Sequence, residues 1–161
     1  MIRQMTAEDA VPVLEIYRKG LDTGDASFEM LVPDWETWDA KHHAFARLVW
    51  EYETRVLGWA ALTPVSTRHC YRGVAEISIY VDIECLSRGI GNRLLTRLVE
   101  EAEAHGIWTL TSSIFPENQA TRRLHLRHGF REVGIRQRIA QRNDCWRDTL
   151  IFERRSSTVG T

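Results

Sequence analysis

"YRGVAEISIYVDIECLSRGIGNRLL", residues 71–95, joins an alternating apolar run to a leucine-rich one through two closely spaced glycines. In its first part, a strand places Ile77, Ile79 and Val81 on one face and Glu76, Ser78 and Tyr80 on the other, because successive side chains alternate. Its last part continues as a helix carrying Leu94, Leu95, Leu98, Val99 and Ala102 at helical spacing and ending near Gly106. A strand, a tight turn and a helix in that order bare the unpaired N–H groups of the helix N-terminus, where the backbone dipole also favours an anion. Gly89 and Gly91 lack Cβ atoms, so a phosphate can approach the main chain closely. Two familiar phosphate motifs are excluded. Leu94 stands where G-x-G-x-x-G needs its third glycine, and Asn92 and Arg93 follow Gly91 where a P-loop needs its lysine.

On the N-terminal side, "IRQM" predicts a short strand, and Thr6 and Asp9 have capping-box spacing with Asp in place of Glu. Val11, Leu14, Ile16 and Tyr17 give a helix an apolar stripe, and Gly20 is expected to close it. After the irregular "LDTGDASFEMLVP", Asp34 can cap a second helix over 34–45 with Trp35, Trp38 and Phe45. "ARLVWEYE" and "VLGWAALTP" read as an antiparallel hairpin joined at "ETR". On the C-terminal side, "WTLTSSI" is strand-like, and "NQATRRLHLRHG" is a helix capped by Asn118 and closed by Gly129. "REVGIRQRI" and "CWRDTLIFE" add two strands. The order β-α-α-β-β-β-α-β-α-β-β predicts an α/β (α+β) fold, a mixed central sheet flanked by helices. It forms a single domain over 1–155, with 156–161 as a flexible tail.

The 161 residues carry a formal charge of −1, and 27% of them are charged, so no basic field points to nucleic acid. No apolar stretch is long enough to span a membrane, and the N-terminus does not read as a signal peptide. Cys70, Cys85 and Cys145 are too scattered for a disulfide framework or a CxxC site, which suggests a cytoplasmic protein. His42 and His43 are adjacent and have no ligand partner at useful spacing, so no metal is expected.

Four segments, in chain order, resemble the GNAT superfamily of N-acetyltransferases, and more narrowly its phosphinothricin and methionine sulfone acetyltransferase branch. They are "ASFE" (26–29), the 71–95 stretch with its Tyr-Arg pair and E-x-x-x-Y-V strand, "ENQATRRLHLRHGFREVG" (117–134), and "CWRDTLIFE" (145–153) with its Trp-x-Asp. The resemblance covers nearly the whole chain. It implies acetyl-CoA as donor, a small-molecule primary amine as acceptor, and a homodimer. One position departs from the pattern: Leu86 stands where relatives carry Gln or Arg, which removes one polar side chain and leaves the phosphate to backbone amides and Arg88.

By that resemblance Ser87, Arg88, Gly89, Ile90, Gly91 and Asn92 cradle the pyrophosphate. Ile79, Tyr80 and Val81 run beside the pantetheine arm, with the Val81 N–H as oxyanion donor and Asn118 as a further partner. Glu76 is the expected general base for an amine that is mainly ammonium at neutral pH, and His125 the expected proton donor to the leaving thiolate. Arg72, with Tyr71 beside it, is placed to recognise an acceptor carboxylate through its guanidinium fork, and Phe28 and Glu29 to wall the pocket. An arginine there favours an acidic or zwitterionic acceptor, such as an amino acid, over a cationic one. The alternatives are another amine on the same fold (polyamine, aminoglycoside or protein N-terminus) and a non-catalytic acyl-CoA sensor.

Overall fold

The computed structural model describes residues 1–161. Strands β1 (Ile2–Gln4), β2 (Leu48–Tyr52), β3 (Arg55–Pro64), β4 (Val74–Val81), β5 (Thr109–Ile114), β6 (Arg131–Arg142) and β7 (Cys145–Arg155) form one seven-stranded sheet in the order β1-β2-β3-β4-β5-β7-β6. Helices α1 (Ala10–Asp22), α2 (Trp35–Lys41), α3 (Ile90–Ala104) and α4 (Gln119–Arg127) fall between them in the expected succession. Every neighbouring pair is antiparallel except β4 and β5, so the sheet is mixed as predicted.

Two hairpins rest on local backbone chemistry. Tyr52 pairs with Arg55 across Glu53-Thr54, and Arg142 with Cys145 across Asn143-Asp144; all four loop residues have positive φ. Such two-residue turns match the right-handed twist of the strands they join.

Each sheet face carries a core. Ala75 and Ile77 of β4, Leu110 and Ile114 of β5, and Leu150 and Phe152 of β7 meet Leu94, Leu95 and Leu98 of α3 on one side. On the other, Val13, Ile16, Tyr17 and Leu21 of α1 and Trp38 of α2 cover Val49, Trp59 and Ala61. Trp38 and Trp59 are wholly buried there and meet edge to face at 5.4 Å. No helix is long and apolar enough to cross a membrane.

Two boundaries differ from expectation. Gly20 does not close α1, which runs on to Asp22. A Cβ at Gly20 would lie 2.6 Å from the Tyr80 ring, so this glycine lets the helix approach β4. The second helix stops at Lys41 rather than reaching Phe45: His42 turns extended, and the His43 N–H donates to Leu62 O of β3. Phe45 keeps its apolar contact from a loop, stacking on His105 at 4.4 Å. Past β7, Ser156 N–H donates to Trp108 O, and Arg155 donates to Val159 O and Gly160 O. Residues 156–160 thus lie against Trp108.

Candidate active site

The parallel ladder between β4 and β5 extends only from Val74↔Thr109 to Glu76↔Thr111. Beyond it β4 continues to Val81 and β5 to Ile114 without pairing, which opens a wedge between them. β4 stays paired with β3 throughout, Pro64↔Ala75 to Gly58↔Val81. Asp82 N–H donates to Leu57 O on the β3 side. In steps of two, the main chains of Ser78 and Tyr80 therefore also turn toward β3, and those of Ile77, Ile79 and Val81 toward the wedge. Their N–H and C=O groups form a strand edge that an extended ligand can pair with.

The turn after β4 ends in a bare helix terminus. Ser87 has φ 64° and Gly89 φ 77°, and α3 begins with no side-chain cap. The first N–H of this helix bonded to its own turn is that of Arg93, to Gly89 O, so those of Ile90, Gly91 and Asn92 remain free for an anion. A Cβ on Gly91 would stand 3.7 Å from Leu124 and 3.8 Å from Val81, so the first turn of α3 sits between α4 and the end of β4. Arg88 and Leu86 are exposed beside it. Arg93 lies over the Trp50 ring at 5.3 Å and Arg97 pairs with Glu100 and Glu101, so neither is turned to the loop. The root of the turn is tied to α1: Lys19 Nζ lies 3.0 and 3.1 Å from the buried Asp82 carboxylate, which also accepts from Glu84 N–H.

Glu76 lies at the fork of the wedge. Strand register places Thr111 and Ser113 of β5, Thr149 and Ile151 of β7, and Arg136 of β6 on its face of the sheet. Although its side chain reaches solvent at the fork, its partial burial pushes the carboxyl above the ordinary range, while Lys41 at the end of α2 and Arg136 pull it down. Sequence reading singled out neither cation, because their elements lie far apart in the chain.

The structure sends Arg72 elsewhere: its guanidinium lies 5.1 Å above the Trp108 ring and its Nη1 donates to His69 O. Exposed Tyr71 sits beneath Arg68 at 5.3 Å. Phe28 meets Phe115, just past β5, edge to face at 5.0 Å. Tyr80 stacks on Trp59, and its hydroxyl is pushed up by burial, then by Tyr17 and by Glu29. The 27–29 loop is thus folded toward the Glu76 face.

Asn118 caps α4, its Oδ1 accepting from Thr121 N–H at 3.2 Å, which leaves its amide N–H groups for a ligand. His125 on the same helix is buried against Phe130 and Phe152. Its Nδ1–H donates to Thr121 O at 2.7 Å and its Nε2 has no partner. Burial lowers its pKa, so the resting ring is neutral with its one proton on Nδ1.

Comparison with known proteins places the whole chain among acetyltransferases. Residues 12–130 match the family described as Acetyltransferase (GNAT) family. The chain is 29% identical over 160 residues to a phosphinothricin N-acetyltransferase of Alcaligenes faecalis, spanning 95% of this chain and 81% of that protein. Among solved structures, a ribosomal-protein-alanine N-acetyltransferase from Brucella melitensis superposes with TM-score 0.89 at 30% identity, covering 97% of this chain and 99% of the other. A phosphinothricin acetyltransferase from Sinorhizobium meliloti in complex with acetyl-CoA does so with TM-score 0.88 at 26% identity, covering 99% and 90%.

Proposed function

The chain belongs to the acetyltransferase (GNAT) family, and on that premise we propose that it moves the acetyl group of acetyl-CoA directly to the primary amine of a small amino acid or analogue of the phosphinothricin or methionine sulfone type. The observation that carries this reading is Glu76 at the point where β4 and β5 part, with an open strand edge and an uncapped helix terminus leading away from it. The acceptor type is supported by the Alcaligenes and Sinorhizobium proteins.

When bound, acetyl-CoA supplies an activated thioester. The free amides of residues 87–92 hold its diphosphate, with Arg88 beside them, and Leu86 adds no polar contact. The wedge-facing groups of Ile79 and Val81, flanking Tyr80, pair with the pantetheine arm, and Asn118 donates to it from the other wall. Val81 N–H donates to the oxygen of the attacked carbonyl, where negative charge develops. Glu76 would take a proton from the acceptor ammonium, directly or through water; the amine nitrogen would then bond to the thioester carbon, the C–S bond would break, and the nitrogen would release its second proton to solvent as the amide forms. Nδ1 holds the only proton of the resting His125 ring, so the departing thiolate takes its proton from solvent.

Lys41 and Arg136 recognise the acceptor carboxylate from the Glu76 face, with Phe28 and Glu29 as its wall. Tyr71 and Arg72 precede β4 at its paired end, where Arg72 is held over Trp108, so in this reading they do not hold the acceptor. The reading includes a homodimer, supported by exposed Val133, Ile135, Ile139 and Trp146 on the β6–β7 hairpin. It also includes a cytoplasmic setting, where the three thiols stay free.

The test mixes purified protein with acetyl-CoA and methionine sulfone, phosphinothricin, spermidine or an alanine-terminated peptide, and follows free thiol. Release with the first two alone supports the reading. Release with the peptide alone favours the second reading, acceptor use like that of the Brucella protein's name. Cofactor binding without release from any acceptor points to a sensor.

A further inference from the structure

Arg147, at the third position of β7, directs its guanidinium off the sheet to two neighbouring segments. Its Nη1 donates to Gly24 O at 2.9 Å, in the loop that carries Phe28. Its Nη2 lies 3.2 Å from Glu117 Oε2 and 3.5 Å from Asp25 Oδ1. The guanidinium carbon also lies over the Phe115 ring, 3.6 Å from its centroid, while Phe28 meets that ring at 5.0 Å. One planar cation therefore grips two segments. On one side is the loop after α1; on the other is the turn from Phe115 to Asn118, closed by Asn118 N–H donating to Phe115 O at 3.0 Å. Arg142 braces the same loop, donating to Leu21 O and Ser27 O.

The geometry has a chemical consequence. Phe28 walls the proposed acceptor pocket and Asn118 borders the proposed pantetheine channel, so the gap between the two substrates is set where Arg147 joins them. A planar fork is suited to this, because it offers several donors and a flat face at once, whereas a lysine offers a single ammonium. We propose that Arg147 is a positioning residue for the acceptor: by clamping residues 24–28 to the 115–118 turn, it fixes the distance from the acceptor amine to the thioester. The proposal rests on the acetyltransferase reading above.

Two variants test it. Arg147→Lys keeps the charge and loses the fork. Phe115→Leu keeps Arg147 and removes the ring through which it meets Phe28. Both are expected to lower kcat and to lower acceptor kcat/KM about tenfold or more, while acetyl-CoA affinity in the binary complex, read by calorimetry, stays within about twofold of wild type. Unchanged kcat and acceptor kcat/KM in a folded Arg147→Lys protein overturn the clamp and leave the acetyltransferase reading intact. An equal loss of acetyl-CoA affinity overturns it too, by showing a general structural role. If Arg147→Lys does not fold, Phe115→Leu alone decides in the same way. A wild-type protein that acetylates none of the four acceptors refutes both this inference and the reading beneath it.

Discussion

Glu76 pairs with Thr111, and at that pair the ladder between the two parallel strands stops. The carboxylate thus stands where the sheet is still held together, and the gap begins one residue later. The carboxylate proposed as the base is thus held by the ladder on one side and faces the wedge on the other. Glu76→Gln keeps the shape and loses the basicity. Its kcat is expected to fall about 100-fold or more at neutral pH, in keeping with the usual size of general-base assistance, with acetyl-CoA affinity retained. Steady-state kinetics against both substrates check this.

Two cations should leave their mark on the pH profile. Burial raises the Glu76 carboxyl, so the acid limb of kcat/KM is expected above the ordinary carboxylate range, and activity falls as the pH drops through it. Lys41 and Arg136 favour the ionised form. Replacing either with Met removes a charge that stabilises the carboxylate, so the limb should move to still higher pH. A limb that stays put in both variants separates these side chains from Glu76.

Gly89 and Gly91 should respond differently to alanine. Gly89 has φ 77° with open space around it, so Gly89→Ala costs about 1–2 kcal/mol through backbone strain alone. Gly91 is helical, and a Cβ there meets only ordinary contacts at 3.7 and 3.8 Å, so Gly91→Ala should leave thermal stability equal or higher. Both should raise KM for acetyl-CoA, since each methyl group intrudes where the diphosphate would lie. Thermal melts paired with cofactor titration separate the two effects.

His42 makes the fold sensitive to acid. Packed on Trp38 at 4.0 Å, with Nδ1 2.6 Å from Trp38 O, it has its pKa lowered to about 4 by burial. The unfolded chain takes up this proton near pH 6.5, so the stability it protects is complete above that pH. It is lost progressively down to about 4, by roughly 3 kcal/mol over the interval. His42→Phe should flatten that part of the stability profile, as read by denaturant melts between pH 4 and 7.

The buried imidazole on α4 gives a fifth expectation. Because the resting His125 ring has no proton at Nε2, His125→Phe should change kcat by less than about tenfold, well short of the loss at Glu76. Its main effect should be on stability, through the lost hydrogen bond to Thr121 O. A kcat collapse with unchanged melting would restore the acid role that the resemblance implies.

Much of this was legible in the chain itself. Periodicity placed all seven strands and four helices in order, because each amphipathic run has to turn its apolar side to a core. Asn118 and Asp34 announced their helices through cap chemistry that acts within three residues. What stayed hidden depends on partners far along the chain. Gly20 reads as a stop signal unless the Tyr80 ring, sixty positions on, is known to need its space. Arg72 reads as a free guanidinium unless Trp108 lies beneath it. Arg136 reads as one arginine among many in β6, and only the register β6–β7–β5–β4 puts it on the Glu76 face. Alternation assigns a residue to a side of a strand; it does not say which strands are neighbours.

The position of β7 between β5 and β6 has a consequence for synthesis. On the ribosome β7 emerges after the other six strands, yet it fills an interior place in the sheet, so β5 and β6 wait with unsatisfied edges until it arrives. Closure of the β5–β7–β6 half of the sheet is therefore expected to be the last step of folding, slowed by its non-local pairing.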